Sequence, residues 1–187
     1  RKHNIPEDFK YLAVIESGLE NVVSPSGAAG FWQIMKATGR EHGLEVNKEI
    51  DERYNLEKAT VAACEYLQDA YSKFGSWTMA AASYNMGKNG AGRRIEEQSS
   101  NNYYNLYLNS ETSRYVFRII AVKEIMQNPK RYGFMFREKD LYNMPNFKTL
   151  EVDSTIANLS DFASLHGVNY KLLKQFNPWL RSTSLPD

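Results

Sequence analysis

One glutamate, Glu16, stands where a carboxyl group could act as an acid. It shares a helical stripe with Phe9, Leu12 and Ala13, so its side chain should face an interior or a cleft. It also falls in the last turn of the predicted helix, where the helix dipole disfavours negative charge. Burial and dipole both predict a raised pKa, and a carboxyl that keeps its proton at neutral pH can serve as a general acid. The alternative is a structural glutamate that bends out to solvent.

Three further groups of polar and aromatic residues follow this glutamate along the chain. They are the segments 24–35 (SPSGAAGFWQIM), 83–87 (SYNMG) and 111–116 (ETSRYV). Each member also has an ordinary structural interpretation. The amides of Gln33 and Asn85 suit surface or capping positions, and Glu111 suits the first turn of a helix. Tyr84 and Tyr115 suit a core, so only the combination and order of these residues are informative.

Helical periodicity dominates the chain up to about residue 130, so helices must position these groups. The first helix has Pro6 in its opening turn and ends near Gly18, and residues 22–30 are rich in turn formers and predict a loop. Four further helices are predicted: one starting near Phe31, and others spanning Asn55 to Phe74, Trp77 to Met86 and Glu111 to Met126. Three glycines, Gly87, Gly90 and Gly92, are expected to break the pattern after Met86.

The character of the sequence changes after Pro129. Residues 134–146 predict a connector, residues 147–152 a short strand, and two short helical patterns follow on either side of Gly167. The expected fold class is mainly α, a lysozyme-like helical domain with a small α+β module at the C-terminal end. The predicted domain boundaries are 1–133 for the helical domain, 134–146 for the connector and 147–187 for the module.

Composition excludes several classes of protein. The 23 basic and 22 acidic residues among 187 nearly cancel, which argues against a nucleic-acid-binding surface. Cys64 is a single cysteine, so no internal disulfide can form, and its helical position predicts a small core residue. The chain shows neither a membrane-length apolar run nor a signal peptide, and it begins at Arg1 rather than Met. We therefore expect that a targeting or anchoring segment could precede it.

Together the four motifs resemble those of the lytic transglycosylases with a goose-type-lysozyme-like catalytic fold, and within them the membrane-bound murein D type. The resemblance covers about residues 5–132, in the family's motif order. It implies that Glu16 is the single catalytic acid/base. Seven further residues match positions that line the cleft and contact or orient the sugar: Ser24, Gln33, Met35, Tyr84, Asn85, Glu111 and Tyr115. Ser24 is expected to hydrogen-bond near the carboxyl group of Glu16, and Glu111 to orient Tyr115.

The resemblance also implies a mechanism. Glu16 would protonate the oxygen of the β-1,4 bond between N-acetylmuramic acid and N-acetylglucosamine, and would then deprotonate the muramoyl 6-hydroxyl, which closes a 1,6-anhydro ring. Most glycosidases use two carboxylates, and Glu111 is the nearest rival for a second one here. No metal or organic cofactor is implied. The expected partner is the peptidoglycan glycan strand, and the location is the cell envelope, in the periplasm and anchored to the outer membrane through a segment absent from this chain.

Residues 147–187 resemble a LysM module, a small unit that binds glycans containing N-acetylglucosamine. The matching residues are Leu159, Phe162, Ala163, Gly167, Val168, Leu172 and the segment 176–178 (FNP). The closing strand is expected to be missing because the chain stops soon after Leu185. The alternative is a helical cap packed on the first domain, and Trp179 is expected to be a core residue rather than a sugar platform.

Three alternatives to the transglycosylase function remain at this level. A lysozyme-type hydrolase would use water as acceptor and need a second carboxylate. A non-catalytic glycan-binding protein could keep the fold without the chemistry. A chitin-active enzyme would act on a glycan with the same N-acetyl groups. The sequence indicates no oligomeric state.

Overall fold

The protein is described here by a computed structural model covering residues 3–143 and 145–186; Arg1, Lys2, Met144 and Asp187 lie outside the described residues. The described chain contains eight α-helices, which together with short 3₁₀ turns make up more than half of it. In chain order they are α1 (Lys10–Ser17), α2 (Lys36–Glu41), α3 (Leu56–Phe74), α4 (Trp77–Met86), α5 (Lys88–Gln98), α6 (Ser110–Gln127), α7 (Leu159–Leu165) and α8 (Tyr170–Phe176). Five short 3₁₀ turns lie between or beside them: Glu7–Phe9, Glu52–Tyr54, Tyr103–Asn105, Pro129–Tyr132 and Glu138–Asp140. The mainly α fold class is thus confirmed.

Local capping signals fix the ends of the long helices. The Asn55 side chain accepts a hydrogen bond from the Lys58 N–H at 3.1 Å, and α3 ends at Gly75, which takes the left-handed conformation at φ 69°. Asn109 caps α6 in the same way, accepting from the N–H groups of Glu111 and Thr112. These bonds satisfy backbone groups that a helix end leaves free, which is why the predicted bounds of α3 and α6 agree closely with the structure.

Helix α4 runs through the centre of the bundle. Five consecutive residues from Met79 to Ser83 are buried, so this helix is covered on all sides by α3, α5 and α6. Its alanines let the neighbouring helices approach closely. Helix α1 packs against α6, with Leu12 fully buried. This arrangement brings the end of α1, the end of α4 and the first turns of α6 together.

Two sequence predictions for this region are wrong. No helix starts near Phe31: residues 31–33 form turns, Ile34 pairs with Ala29 in a β-bridge, and α2 begins only at Lys36. Gln33 has φ 48°, a left-handed conformation that cannot continue a right-handed helix. The helical pattern is broken by Gly87 alone, since Gly90 and Gly92 lie inside α5. Burial of Ala91 in the core offsets the helical cost of its glycine neighbours.

The β part of the C-terminal module also differs from the prediction. Residues 147–152 form no strand. A single antiparallel bridge instead joins Ile156 and Leu185, each donating its N–H to the other's carbonyl at 2.8 Å. As expected, no closing strand forms in the described part of the module, but Leu185 makes this one bridge near the end of the chain. A strand at 147–152 would need a backbone partner, and the partner segment lies opposite Ile156 instead.

The module is hydrogen-bonded to the helical domain. Ile50 and Leu180 form an antiparallel bridge, the Asp51 N–H donates to the Trp179 carbonyl at 2.9 Å, and the Arg181 N–H donates to the Glu49 carbonyl at 2.7 Å. Trp179 itself is half-buried, as is Cys64 on α3. Within the described ranges, no helix has both the length and the apolar character needed to cross a membrane.

Candidate active site

Glu16 occupies the last turn of α1, facing α6. Helix α1 ends at Gly18, which adopts the left-handed conformation at φ 64°. The buried Tyr115 of α6 donates its hydroxyl hydrogen to Oε1 of Glu16 in a short hydrogen bond. The structure thus brings together two predicted site residues that lie 99 positions apart in the sequence.

The surroundings of Glu16 raise its pKa above the ordinary value of 4.5. Desolvation is the largest cause, because burial penalises the charged form. The hydrogen bond from Tyr115 and the positive charge of Arg118 act in the opposite direction, and the negative charge of Glu111 adds to the increase. Protonation of Glu16 is therefore favoured, as predicted from its helical face.

Arg118 was not identified from the sequence. It follows Tyr115 by three positions on α6, and its Nη2 donates to the carbonyl of Ile15 at 3.1 Å. This bond holds the guanidinium beside the end of α1, next to Glu16. The i, i+3 spacing from Tyr115 was the available signal, since both side chains then lie on neighbouring positions of one helix face.

Tyr84, at the end of α4, faces the segment before α2. Its hydroxyl donates to the carbonyl of Trp32 at 2.7 Å, and its ring meets the edge of the Tyr66 ring at 5.3 Å between centroids. Burial raises the pKa of Tyr84 well above its usual value, and the charge of Glu16 adds to this. The phenol is therefore a neutral donor, and the structure uses that donor to hold the backbone.

Asn85 links α4 to the start of α6. Its Nδ2 donates to Oε1 of Glu111 at 3.1 Å, and its Oδ1 accepts from the hydroxyl of Thr112 at 2.7 Å. Thr112 is fully buried and was not among the predicted residues. Glu111 was expected to orient Tyr115, but the side-chain bond recorded for its carboxylate in the described chain is to Asn85.

Gln33 has a left-handed backbone conformation, and its side-chain amide is hydrogen-bonded within its own loop. Its φ of 48° is rare for a residue other than glycine. Its Nε2 donates to the carbonyls of Val22 at 3.0 Å and Gly30 at 2.8 Å. Two carbonyl partners demand a donor, so the amide orientation is fixed and both Nε2 hydrogens are used. Within residues 3–143 and 145–186 the Gln33 side chain bonds only through Nε2, so its Oε1 is available to an outside partner, which must be a hydrogen-bond donor.

Ser24 is placed differently from its expected role. Its Oγ accepts from the Ala28 N–H at 3.0 Å and lies 3.1 Å from the Ser26 Oγ. Throughout residues 3–143 and 145–186, no hydrogen bond joins Ser24 to Glu16; Ser24 instead closes a turn within its own loop. Its predicted contact near the carboxyl group stays a prediction.

A cavity of about 150 Å³ lies among α2, α3 and α4. Four predicted site residues line it: Gln33, Met35, Tyr84 and Asn85. Met35 is 44% exposed, which leaves its thioether free to contact a ligand. His42 also lines the cavity, and its Nε2 is buried without a hydrogen-bond partner among the described residues. Glu16, Glu111 and Tyr115 lie outside this cavity lining.

The site can transfer a proton and hold a polar ligand. A carboxyl with a raised pKa, a buried phenol and a fixed amide oxygen are arranged around the ends of α1, α4 and α6. Residues 3–143 and 145–186 contain no cluster of three or more His, Cys, Asp or Glu side chains suited to a metal ion.

Comparison with known proteins supports the resemblance to lytic transglycosylases. Residues 1–107 match the family described as "Transglycosylase SLT domain", and residues 148–187 match "Soluble lytic transglycosylase C-terminal LysM-like domain". The chain is 30% identical over 191 aligned residues, 99% of its length, to "Membrane-bound lytic murein transglycosylase D" of Escherichia coli strain K12. The same protein of Escherichia coli O6:H1 strain CFT073 matches equally well. The alignments cover 42% of these relatives, so the chain spans about two fifths of their length. Because the first family match covers more than half of the sequence, the chain belongs to the transglycosylase SLT domain family.

Proposed function

We propose that this chain carries the catalytic domain of a peptidoglycan lytic transglycosylase, which cleaves the β-1,4 bond between N-acetylmuramic acid and N-acetylglucosamine and leaves 1,6-anhydromuramoyl ends. The observation that carries the proposal is the carboxyl group of Glu16, whose raised pKa and short bond from Tyr115 suit a general acid. Membership of the SLT family and the names of the two relatives support the substrate class.

Glu16 acts twice in the proposed reaction. Its protonated carboxyl gives a proton to the leaving glycosidic oxygen, and the N-acetyl group of the substrate stabilises the positive charge that forms at C1. The resulting carboxylate then takes the proton of the muramoyl 6-hydroxyl while O6 bonds to C1. The proton returns to Glu16, no water is consumed, and one carboxylate suffices. The Tyr115 hydroxyl and Arg118 stabilise the carboxylate between the two steps.

The remaining site residues have proposed roles in binding. Gln33 Oε1 accepts from a sugar hydroxyl or acetamido N–H, and Met35 offers an apolar contact to the ring. Tyr84 and Asn85 shape the wall opposite Glu16. The other three proposed contributors to the cleft are Ser24, Glu111 and Tyr115.

The first test compares the parent with Glu16→Gln on purified peptidoglycan, with products identified by mass spectrometry. Anhydromuropeptides should accumulate with the parent, at a rate reduced by at least about 1,000-fold in the variant because general acid catalysis is lost. Glu20→Gln is the matched control, since Glu20 lies on the exposed loop after α1. It should retain the parent's activity.

The products separate the alternatives. Reducing-end muropeptides, heavier by one water, would replace the proposal with a lysozyme-type hydrolase and direct attention to Glu111 as second carboxylate. Binding of glycan without any cleavage by the parent would favour a non-catalytic protein. Cleavage of chitin in preference to peptidoglycan would favour the chitin-active alternative.

Location and domain organisation belong to the same proposal. Since the substrate lies outside the cytoplasmic membrane and the relatives are named membrane-bound, we place this protein in the cell envelope, in the periplasm, with its membrane association through a segment absent from this chain. Residues 1–133 would form the catalytic domain, 134–146 the connector and 147–187 the LysM-like module. Glycan binding by that module is proposed on the family match.

A further inference from the structure

The loop between α1 and α2 contains no helix or strand. It is held together by backbone hydrogen bonds, among them the Ala29–Ile34 bridge, and by side chains. Residues 22–35, called the site loop from here, carry Ser24, Gln33 and Met35. Six backbone carbonyls of the loop accept hydrogen bonds from side chains. Two of the donors, Gln33 and Tyr84, belong to the motifs described above, and a third, Ser17, follows Glu16 on α1.

The fourth donor, Arg53, comes from outside every motif. It lies in the 3₁₀ turn Glu52–Tyr54 and is 8% exposed. Its Nε and Nη2 donate to the two carboxylate oxygens of Asp51 at 2.9 and 2.7 Å. This two-pronged pairing neutralises the buried charge and fixes the plane of the guanidinium group. Nη1, the guanidinium nitrogen that does not bond Asp51, therefore faces the site loop.

The remaining nitrogen of Arg53 spans the site loop. Nη1 donates to the carbonyl of Gly27 at 2.8 Å and to that of Ile34 at 3.1 Å. Gly27 follows the Ser24 turn, and Ile34 separates Gln33 from Met35. One buried group thus ties the middle of the site loop, at Gly27, to Ile34, which lies among the three loop residues, 33–35, that line the cavity.

We propose that Arg53 is a positioning residue for glycan binding, which acts by holding Gln33 and Met35 in the orientation that faces the sugar. This inference rests on the proposed function of the cleft. Among the described residues, Arg53 makes no hydrogen bond to Glu16, which lies at the end of α1 and is bonded to Tyr115 of α6. Loss of the Nη1 bonds therefore weakens substrate binding while the acid chemistry at Glu16 persists.

Arg53→Lys is the informative substitution. A lysine keeps the positive charge beside Asp51, but its single ammonium cannot reproduce the planar fork that reaches Asp51 and two carbonyls together. With soluble uncrosslinked glycan strands we expect KM to rise about tenfold and kcat to change by less than about threefold. The basic limb of the pH profile, set by Glu16, should not move. Arg40→Lys is the matched control, because Arg40 also donates to a backbone carbonyl, that of Val46, but outside the site loop.

A second variant covers the risk that lysine destabilises the fold. Asp51→Asn together with Arg53→Met removes the Nη1 donors without leaving a buried charge unpaired. Folding is checked by circular dichroism and thermal unfolding, and all assays run well below the melting temperature. The double variant should show the same rise in KM as Arg53→Lys.

Direct binding keeps this inference separate from the proposed reaction. The same strands are titrated onto Glu16→Gln protein with and without Arg53→Lys, so affinity is measured without turnover. A roughly tenfold weaker Kd with Arg53→Lys supports the proposal even if the parent's products refute the transglycosylase. Folded variants with KM and Kd within twofold of the parent overturn it. The proposal is also overturned if only kcat falls, and by the same fraction as the unfolded protein, because a residue that only stabilises the fold would have this effect.

Discussion

At the scale of single residues, Glu16 is subject to opposing influences. Burial favours its protonated form, while Tyr115 and Arg118 favour the carboxylate. In the proposed reaction Glu16 acts first as an acid and then as a base. These opposing influences suit both steps, because together they leave neither the protonated nor the ionised form strongly disfavoured. The same hydrogen bond that limits the rise in the pKa also holds the carboxyl group in one orientation.

Replacing Tyr115 by phenylalanine tests this balance. The hydroxyl stabilises the ionised form of Glu16, so its removal should raise the pKa of Glu16 further. The protonated acid then persists to higher pH, and the basic limb of kcat/KM should move to higher pH. We also expect kcat to fall about 10- to 100-fold, since a hydrogen bond to a charged group contributes about 1.5–3 kcal/mol. The measurement is a pH–rate profile.

Tyr103→Phe serves as the control for that profile. The Tyr103 hydroxyl also meets α6, but it donates to the backbone carbonyls of Thr112 and Ser113 at 2.8 and 2.7 Å. Its loss should leave the basic limb in place. A limb that moves to lower pH in Tyr115→Phe, or one that moves equally in both variants, would contradict the assigned role of Tyr115.

At the scale of elements, the site loop shows how an irregular segment can be rigid. Its backbone groups are satisfied by side chains from α1, α4 and the turn Glu52–Tyr54. Its backbone also packs closely on that turn. A Cβ built at Gly30 would lie 2.0 Å from the carbonyl oxygen of Arg53, and the φ of this residue is 78°. Glycine is required here for both conformation and space.

Gly30→Ala should therefore be strongly destabilising. Left-handed strain and overpacking against a backbone oxygen together should cost about 3 kcal/mol. That corresponds to a fall in Tm of about 6–12 °C for a chain of this length, measured by thermal unfolding. Gly75→Ala separates the two contributions, since Gly75 also has positive φ, 69°, but has nothing within 4 Å of the added Cβ. Equal shifts in the two variants would mean that the close approach to Arg53 contributes nothing.

At the scale of the whole molecule, the C-terminal module docks on the segment that carries Asp51 and Arg53. Backbone bonds join residues 49–51 to 179–182, and the Arg181 guanidinium lies 4.6 Å from the centre of the Tyr54 ring. This contact was not expected from a separate glycan-binding module. It agrees in part with the alternative of a cap packed on the first domain.

Arg181→Ala tests the strength of this docking by amide hydrogen exchange. Loss of the cation–π contact, about 0.5–1 kcal/mol, should speed exchange of the Asp51 amide and of the amide at position 181 about two- to fivefold. Exchange in α1 and α6 should not change. Arg131→Ala is the control, because Arg131 also stacks near a tyrosine, Tyr132, but away from the module. Faster exchange throughout the helical domain would mean that the substitution destabilises the fold rather than the docking.

The sequence predicted best those features that depend on residues close together in the chain. Cap residues and helical periodicity located α1, α3, α4 and α6, because capping bonds and amphipathic faces depend on neighbours within a few positions. The helical face of Glu16 likewise sufficed to predict its raised pKa. Local rules failed at Gln33, whose left-handed backbone is held by contacts with Val22 and Gly30, and at Gly90, whose helix is stabilised by core packing.

The amino-acid sequence by itself thus determined the helical fold class and the family, and it predicted Glu16 as the acid. Only the tertiary structure decided which groups surround that acid and what holds the site loop. The bond from Tyr115 to Glu16 spans 99 positions, and that from Arg53 to Gly27 spans 26. Such contacts depend on how helices and turns pack against each other. Packing energy comes from contacts throughout the core, so no single segment of the sequence reveals it.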